Sequence, residues 1–185
     1  MTRSNGHARR YAIAALAAAG VLVALPASAS AGCKHKYEHP SQLSKATIKQ
    51  TTLCLLNRQR HMHGRRALKS NRRLARAARR HARDMVERNY FSHTAPGGVD
   101  FVDRIMRQDY VNPGQSWTLG ENLAWGSYQL ATPKSIVRSW MHSPGHRANI
   151  LNPRFREIGI GVVVGAPSAG TSQAATYATS FGARF

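Results

Sequence analysis

The chain has 185 residues and a formal net charge of +19, from 27 Lys and Arg against 8 Asp and Glu. A polypeptide of this length holds one domain with a sizeable core. Its cations are mostly arginine in an alanine-rich background. It shows neither zinc-finger spacing nor a basic motif interleaved with aromatics, which excludes specific nucleic-acid reading and leaves solubility and general attraction to polyanions.

The first segment reads as an export signal. Arg3, Arg9 and Arg10 form a basic start, and "YAIAALAAAGVLVAL" (Tyr11–Leu25) is an apolar run too short for a comfortable membrane span. "PASASA" follows, with Ala29 and Ala31 at the small-residue positions of a cleavage site, so residues 1–31 are expected to be removed after Ala31 and the protein to be extracellular. The only two cysteines, Cys33 and Cys54, remain after processing. In an oxidising compartment they are expected to pair and staple the mature N-terminus to the first helix.

Residues 32–44 read as an extended lead-in to a single domain over 45–185. From about Lys45 the pattern is helical, with Ile48, Thr52, Leu55, Leu56 and Met62 near one face and Gly64 at the end. A second helix starts near Ser70 as N-cap. Leu74, Ala77, Ala78, His81, Ala82 and Met85 form its apolar stripe, and the arginines from Arg72 to Arg83 mostly take the solvated side. His81, on the stripe, reads as a core histidine bonded to backbone. After "NYFSH" and the loop "TAPGG", a short helix is expected around Asp100–Gln108, packing through Phe101, Ile105 and Met106. "GENLAWGS" (Gly120–Ser127) reads as a strand. Thr132-Pro133 is an N-cap followed by proline at the first helical position. "EIGIGVVVG" and "ATYATSFG" are β-rich and joined by a loop, which predicts a hairpin. Helices first and strands mainly last make an α+β fold with helices on an antiparallel sheet.

Three stretches place one titratable residue at an element boundary beside Gly, Pro or Ser: "YFSH" (His93), "GEN" (Glu121) and "SPGHR" (His146). Acids are scarce, and Glu121 lies in an apolar stretch, where a buried carboxylate needs a partner. Two imidazoles and a carboxylate can hold a divalent ion such as zinc, although the spacing matches no short metal motif. Ser143 is placed to cap a new turn, with His146 third in it. A helix N-terminus favours the neutral imidazole, the form that binds metal or accepts a proton. Sequence physics leaves open whether His146 faces a cleft or only caps backbone.

The ordered set "LLNRQR", "ARRHARDMVERNYFSH", "GENLAWG", "SWMHSPGHRANIL", "EIGIGVVV" and "YATSFG" resembles the CAP superfamily of cysteine-rich secretory, antigen 5 and pathogenesis-related proteins, in its bacterial exported SCP-domain branch. The resemblance runs from about Thr47 to Phe185. It implies a three-layer α–β–α sandwich with a central antiparallel sheet and a cleft lined by two histidines and one or two glutamates, where some members bind zinc. "FSH" supplies His93, "GEN" supplies Glu121 and "GHR" supplies His146. The second glutamate of the family has no counterpart in Trp140-Met141-His142-Ser143, and His142 is expected at the surface. Asn57 and Arg60 match an N-x-x-R pattern to which a structural hydrogen-bonding role is assigned.

Three functions follow as expectations. The favoured one is a secreted, non-enzymatic, monomeric binding module, holding a lipid, glycan or peptide in the His93/Glu121/His146 cleft with or without a metal on His93 and His146. The second is a zinc hydrolase in which Glu121 serves as general base for metal-bound water. The third is attachment to anionic cell-wall polymer through the arginine face. A serine triad at Ser92 is rejected, because an adjacent histidine rarely points at its neighbour and no Asp is assigned to orient it.

Overall fold

A computed structural model describes residues 32–185; the export-signal reading of residues 1–31 and its cleavage site lie outside the described residues. The helices are α1 (Lys45–Met62), α2 (Arg72–Glu87), α3 (Phe101–Met106), α4 (Pro133–His142) and α5 (Pro144–Leu151). The strands are β1 (Lys69–Ser70), β2 (Trp117–Ser127), β3 (Glu157–Val164) and β4 (Ala174–Arg184).

The sheet order is β1-β3-β4-β2. The β3–β4 hairpin and the β4–β2 pair are antiparallel, as expected. The two-residue β1 joins β3 in parallel and makes the sheet mixed. Side chains alternate across the strands and assign the layers. Ile158 and Ile160 of β3 share a core with Tyr177 and Phe181 of β4, packed by Leu55 and Leu56 of α1 and Ile136 and Trp140 of α4. Leu123 of β2 and Ala178 of β4 turn to the other face, against Ala78, Ala82 and Met85 of α2. Gly159 and Gly161 face that side too. A Cβ on Gly159 would lie 2.0 Å from the Leu74 and Ala75 backbone, and one on Gly161 2.3 Å from the Arg79 backbone. Glycine is therefore what lets α2 lie directly on β3. The result is the α–β–α sandwich that the family resemblance implies.

Several local readings move. The N-cap of α2 is Asn71, whose side chain accepts from the Arg73 and Leu74 amides, while Ser70 belongs to β1. Strand β2 begins three residues earlier than its glycine–glutamate start suggests, at Trp117. Met62 is 61% exposed instead of joining the α1 core, because it sits in the last turn beyond the helices that cover the rest of that face. Residues 32–44 are only partly extended: turns at 34–37 lead to a 3-10 turn at Pro40–Gln42, capped by His39. The Cys33–Cys54 disulfide is formed and ties this lead-in to α1.

Other expectations hold. Thr132 caps α4 by accepting from the Ser135 amide, with Pro133 at the first position. The Asn57 side chain exchanges hydrogen bonds with the Leu68 backbone, 3.1 and 2.8 Å. The Arg60 guanidinium is fully buried and donates to the carbonyls of Arg66, Ile150 and Asn152. Burial, followed by the charges of Arg156 and Arg65, lowers its pKa.

Candidate functional site

Glu121 points from β2 to the α2 side of the sheet, and its side chain is only 2% exposed. Arg104 of α3 meets it there. Its Nη2 donates to both carboxylate oxygens at 2.9 Å, and also to the His93 carbonyl at 2.8 Å, while Nη1 donates to the Val99 carbonyl at 2.9 Å. The arginine therefore neutralises the buried carboxylate and clips the loop that carries His93 onto the sheet. A short helix delivers it: Asp100 and Asp103 form a reciprocal capping box that starts α3 directly after the glycine turn.

His93 Nδ1 lies 2.9 Å from Glu121 Oε1. The carboxylate, already accepting from a guanidinium, offers His93 only acceptors, so Nδ1 carries the hydrogen. With Nδ1 donating, Nε2 faces away from Glu121, and the His93 side chain is 54% exposed. A carboxylate that orients an imidazole in this way is the usual outer partner of a metal-ligating histidine.

His146 is the third residue of α5, as the sequence suggests, although Ser143 makes no side-chain capping bond. It is half-buried. Burial and then the nearby charge of His93 lower its pKa, which favours the neutral imidazole. Its backbone is fixed from the sheet: Asn122 donates to the His146 carbonyl at 3.0 Å. Asn149 of α5 donates in turn to the Glu121 carbonyl and to Asn122 Oδ1. Trp140 Nε1 reaches the Leu123 carbonyl and anchors α4 beside it.

A buried network backs the first histidine. His81, 1% exposed, bonds the Ser92 carbonyl through Nε2 at 2.9 Å. The Tyr90 hydroxyl lies 3.5 Å from its Nδ1 and donates to Asp84. Burial lowers the His81 pKa, with Glu121 pulling it up and Arg104 down. His81 is thus the backbone-bonded core histidine that its place on the stripe predicts. The Ser92 hydroxyl accepts from the Thr94 amide and serves the turn.

His93, Glu121 and His146 are therefore brought to the two sides of one strand. His142 stays at the surface, bonded to the Arg138 carbonyl of its own helix. Sequence reasoning missed Arg104, Asn122 and Asn149. The scarcity of acids pointed to a partner for Glu121, but nothing local marks which of the many arginines it is. Among the described residues no three His, Cys, Asp or Glu side chains converge on a point that could hold a metal ion. Two imidazoles suit a divalent ion such as zinc; Glu121, committed to Arg104 and His93, fits only as the partner of a ligand.

The sequence model of the CAP, cysteine-rich secretory protein family matches residues 53–178. The chain belongs to the CAP family. Its CAP domain is 40% identical over 110 residues to YkwD of Bacillus subtilis, covering 59% of this chain and 40% of that protein. It is 33% identical over 118 residues to the membrane protein YlbC of the same organism, covering 64% and 32%. The match thus spans less than half the length of either relative. Among solved structures, an extracellular SCP-domain protein of Bacillus anthracis superposes with a TM-score of 0.56 at 27% identity, over 75% of this chain and 43% of that one. An outer surface protein of Borrelia burgdorferi superposes with a TM-score of 0.64 at 19% identity, over 77% and 97%, a likeness of fold. The CAP domain thus resembles the SCP domain of that bacterial extracellular protein.

Proposed function

We propose that this CAP protein is exported and acts as a ligand-binding module, with the imidazoles of His93 and His146 as the reactive edges of its cleft. The supporting observation is the state of Glu121. Its oxygens are taken by Arg104 and His93 and its side chain is out of solvent. A general base needs a free oxygen within reach of the proton it removes. Glu121 instead orients His93, which weighs against the hydrolase reading.

Where a divalent ion such as zinc is bound, His93 Nε2 and His146 would hold it and leave the remaining positions to water or ligand. The ion would supply a Lewis acid to which an anionic or carbonyl-bearing ligand attaches.

The test is metal and ligand binding by the purified protein. After dialysis against trace zinc, elemental analysis should find about one ion per chain, and none in the His93→Ala/His146→Ala double variant. A panel of lipids, glycans and peptides is then titrated with and without zinc. The reading is overturned if the double variant retains both the metal and every ligand that the wild type binds. It is replaced by the hydrolase reading if the wild type turns over a substrate and Glu121→Gln abolishes turnover. Export is checked separately by sequencing the N-terminus of protein from the culture medium, where Gly32 is expected first.

A further inference from the structure

On the far edge of the sheet from β2, strand β3 is paired by β1 only at its start, through Glu157 and Ile158. The Asn71 amide donates to the Ile158 carbonyl on this outer edge. Backbone groups alternate along a strand, so Ile160, Val162 and Val164 turn their amides and carbonyls the same way. Among the described residues none of these outward groups has a partner. The edge is the floor of a groove of about 390 Å³, with Ile160 and Val162 at its base.

The charged residues of the walls are all cations. Lys45 and Lys49 stand on α1, and Arg72, Arg76 and Arg79 on α2; Arg83 continues the row beside Val162, Val163 and Val164. No acidic residue lines any part of it. The arginine row and the strand edge run side by side, because Gly159 seats on Leu74–Ala75, Gly161 on Ala78–Arg79 and Gly165 on Val86. Arg72 to Arg83 covers about 16 Å of helix, and Ile160 to Val164 about 13 Å of strand. A ligand lying along the edge would therefore have a cation beside it over its whole length.

We propose that this groove docks an acidic, extended segment of a partner protein, which adds to β3 as a further strand. The floor presents alternating donors and acceptors at strand spacing, which a peptide backbone can match on both counts. A phosphodiester offers acceptors that would leave the β3 carbonyls unmatched, and a uronate polymer's hydroxyl donors do not alternate with acceptors at strand spacing. The cationic walls call for carboxylates on the incoming strand. A second copy of this chain is a poor occupant, since it has only 8 acids against 27 cations and no two acids adjacent. This surface is separate from the His93/His146 cleft, and the two can fail independently.

The alternative is that the cations merely guard an unpaired edge against pairing. An acetylated, amidated peptide of alternating glutamate and valine, about eight residues long, separates these cases. Isothermal titration against the purified protein in about 0.15 M salt should show saturable binding. N-methylation of alternate peptide amides leaves charge unchanged but removes the donors. In the set that faces β3 it should weaken binding at least about tenfold. The Arg76→Glu/Arg79→Glu variant should lose binding, whereas His93→Ala/His146→Ala should keep it. Equal binding of both N-methylated peptides, or equally tight binding of inorganic polyphosphate of the same charge, would overturn strand addition in favour of charge attraction alone. No peptide binding at all would leave the cations as edge guards. The paired peptides are read on the wild-type protein, so the result does not depend on a variant folding.

Discussion

Glu121 and Asn122 are neighbours on β2 that point to opposite faces of the sheet and hold one candidate-site histidine each. Glu121 bonds the His93 ring on the α2 side. Asn122 bonds the His146 carbonyl on the α5 side. Strand alternation alone produces this, and it makes a two-residue unit the hinge of the site. A one-residue slip of β2 against β4 would exchange the two faces and dismantle both contacts at once.

Arg104 is predicted to be needed for the fold as well as the site. Arg104→Met leaves the Glu121 carboxylate buried and without its guanidinium, a loss on the order of 3 kcal/mol. Urea unfolding measures it. Adding Glu121→Gln removes the orphaned charge and should recover much of the loss. If the double variant is as unstable as the sum of the singles, the two side chains are not coupled.

His81 predicts a loss of stability on mild acidification. Burial lowers its pKa in the folded protein below the ordinary value of 6.5. As pH falls through about 6.5, the unfolded chain takes up a proton that the folded chain refuses, so the unfolded state is favoured. The loss grows until pH reaches the folded-state pKa and is absent well above 6.5. One group can contribute at most about 1.4 kcal/mol per pH unit. Thermal unfolding at pH 7.5 and pH 5.5 should show a smaller drop in His81→Gln than in wild type. His146, lowered in the same sense, keeps part of the slope in that variant. An unchanged slope would mean that His81 is protonated without difficulty in the fold.

Glu157 predicts a second, more acidic transition. Burial pushes its pKa up, but hydrogen bonds from Asn71, Tyr110 and Arg184 outweigh this and hold it below its ordinary value. A depressed carboxylate stabilises the fold above its unfolded pKa, and that contribution disappears as pH falls through the folded one. Glu157→Gln should therefore flatten the stability profile below about pH 4.5 and leave the neutral region's slope unchanged.

The Cys33–Cys54 bridge closes a loop with a sequence separation of 21. Cys33→Ser/Cys54→Ser should cost about 3 kcal/mol, through the greater freedom of the unfolded chain. The lead-in that it anchors also contributes Lys36 O, which accepts from the Lys134 amide of α4. Proteolysis near residues 34–43 should quicken in the variant before the rest of the domain yields.

Arg60 is predicted to resist conservative replacement. Its planar fork reaches carbonyls of Arg66, Ile150 and Asn152 from a fully buried position. Lysine cannot supply those directions from one ammonium. Arg60→Lys should lower the thermal midpoint by several degrees, an effect of about 2 kcal/mol, and Arg60→Met by more.

Much of the local structure is legible in the sequence. The α2 stripe, including His81, follows from spacing of three and four residues, because a helix repeats its faces at that interval. The α4 start follows from Thr132-Pro133, because capping is a contact within one turn. The position of His146 in its new helix is equally local. The α2 cap was displaced by one residue, since Ser70 and Asn71 carry equivalent capping chemistry and only the pairing of Ser70 with Ile158 assigns Ser70 to the sheet.

By itself the sequence determined the helices, the hairpin, the family and the three residues worth watching, because each of these rests on neighbours within a turn or on an ordered set of short motifs. Tertiary structure alone decided what those residues touch. Arg104 is 17 residues from Glu121, and His93 is 28. No periodicity links such positions. They meet because β2 pairs with β4, β4 with β3, and α2 seats on two glycines of β3. The unpaired β3 edge has the same origin, since a strand becomes an edge only when the sheet order leaves no strand beside it.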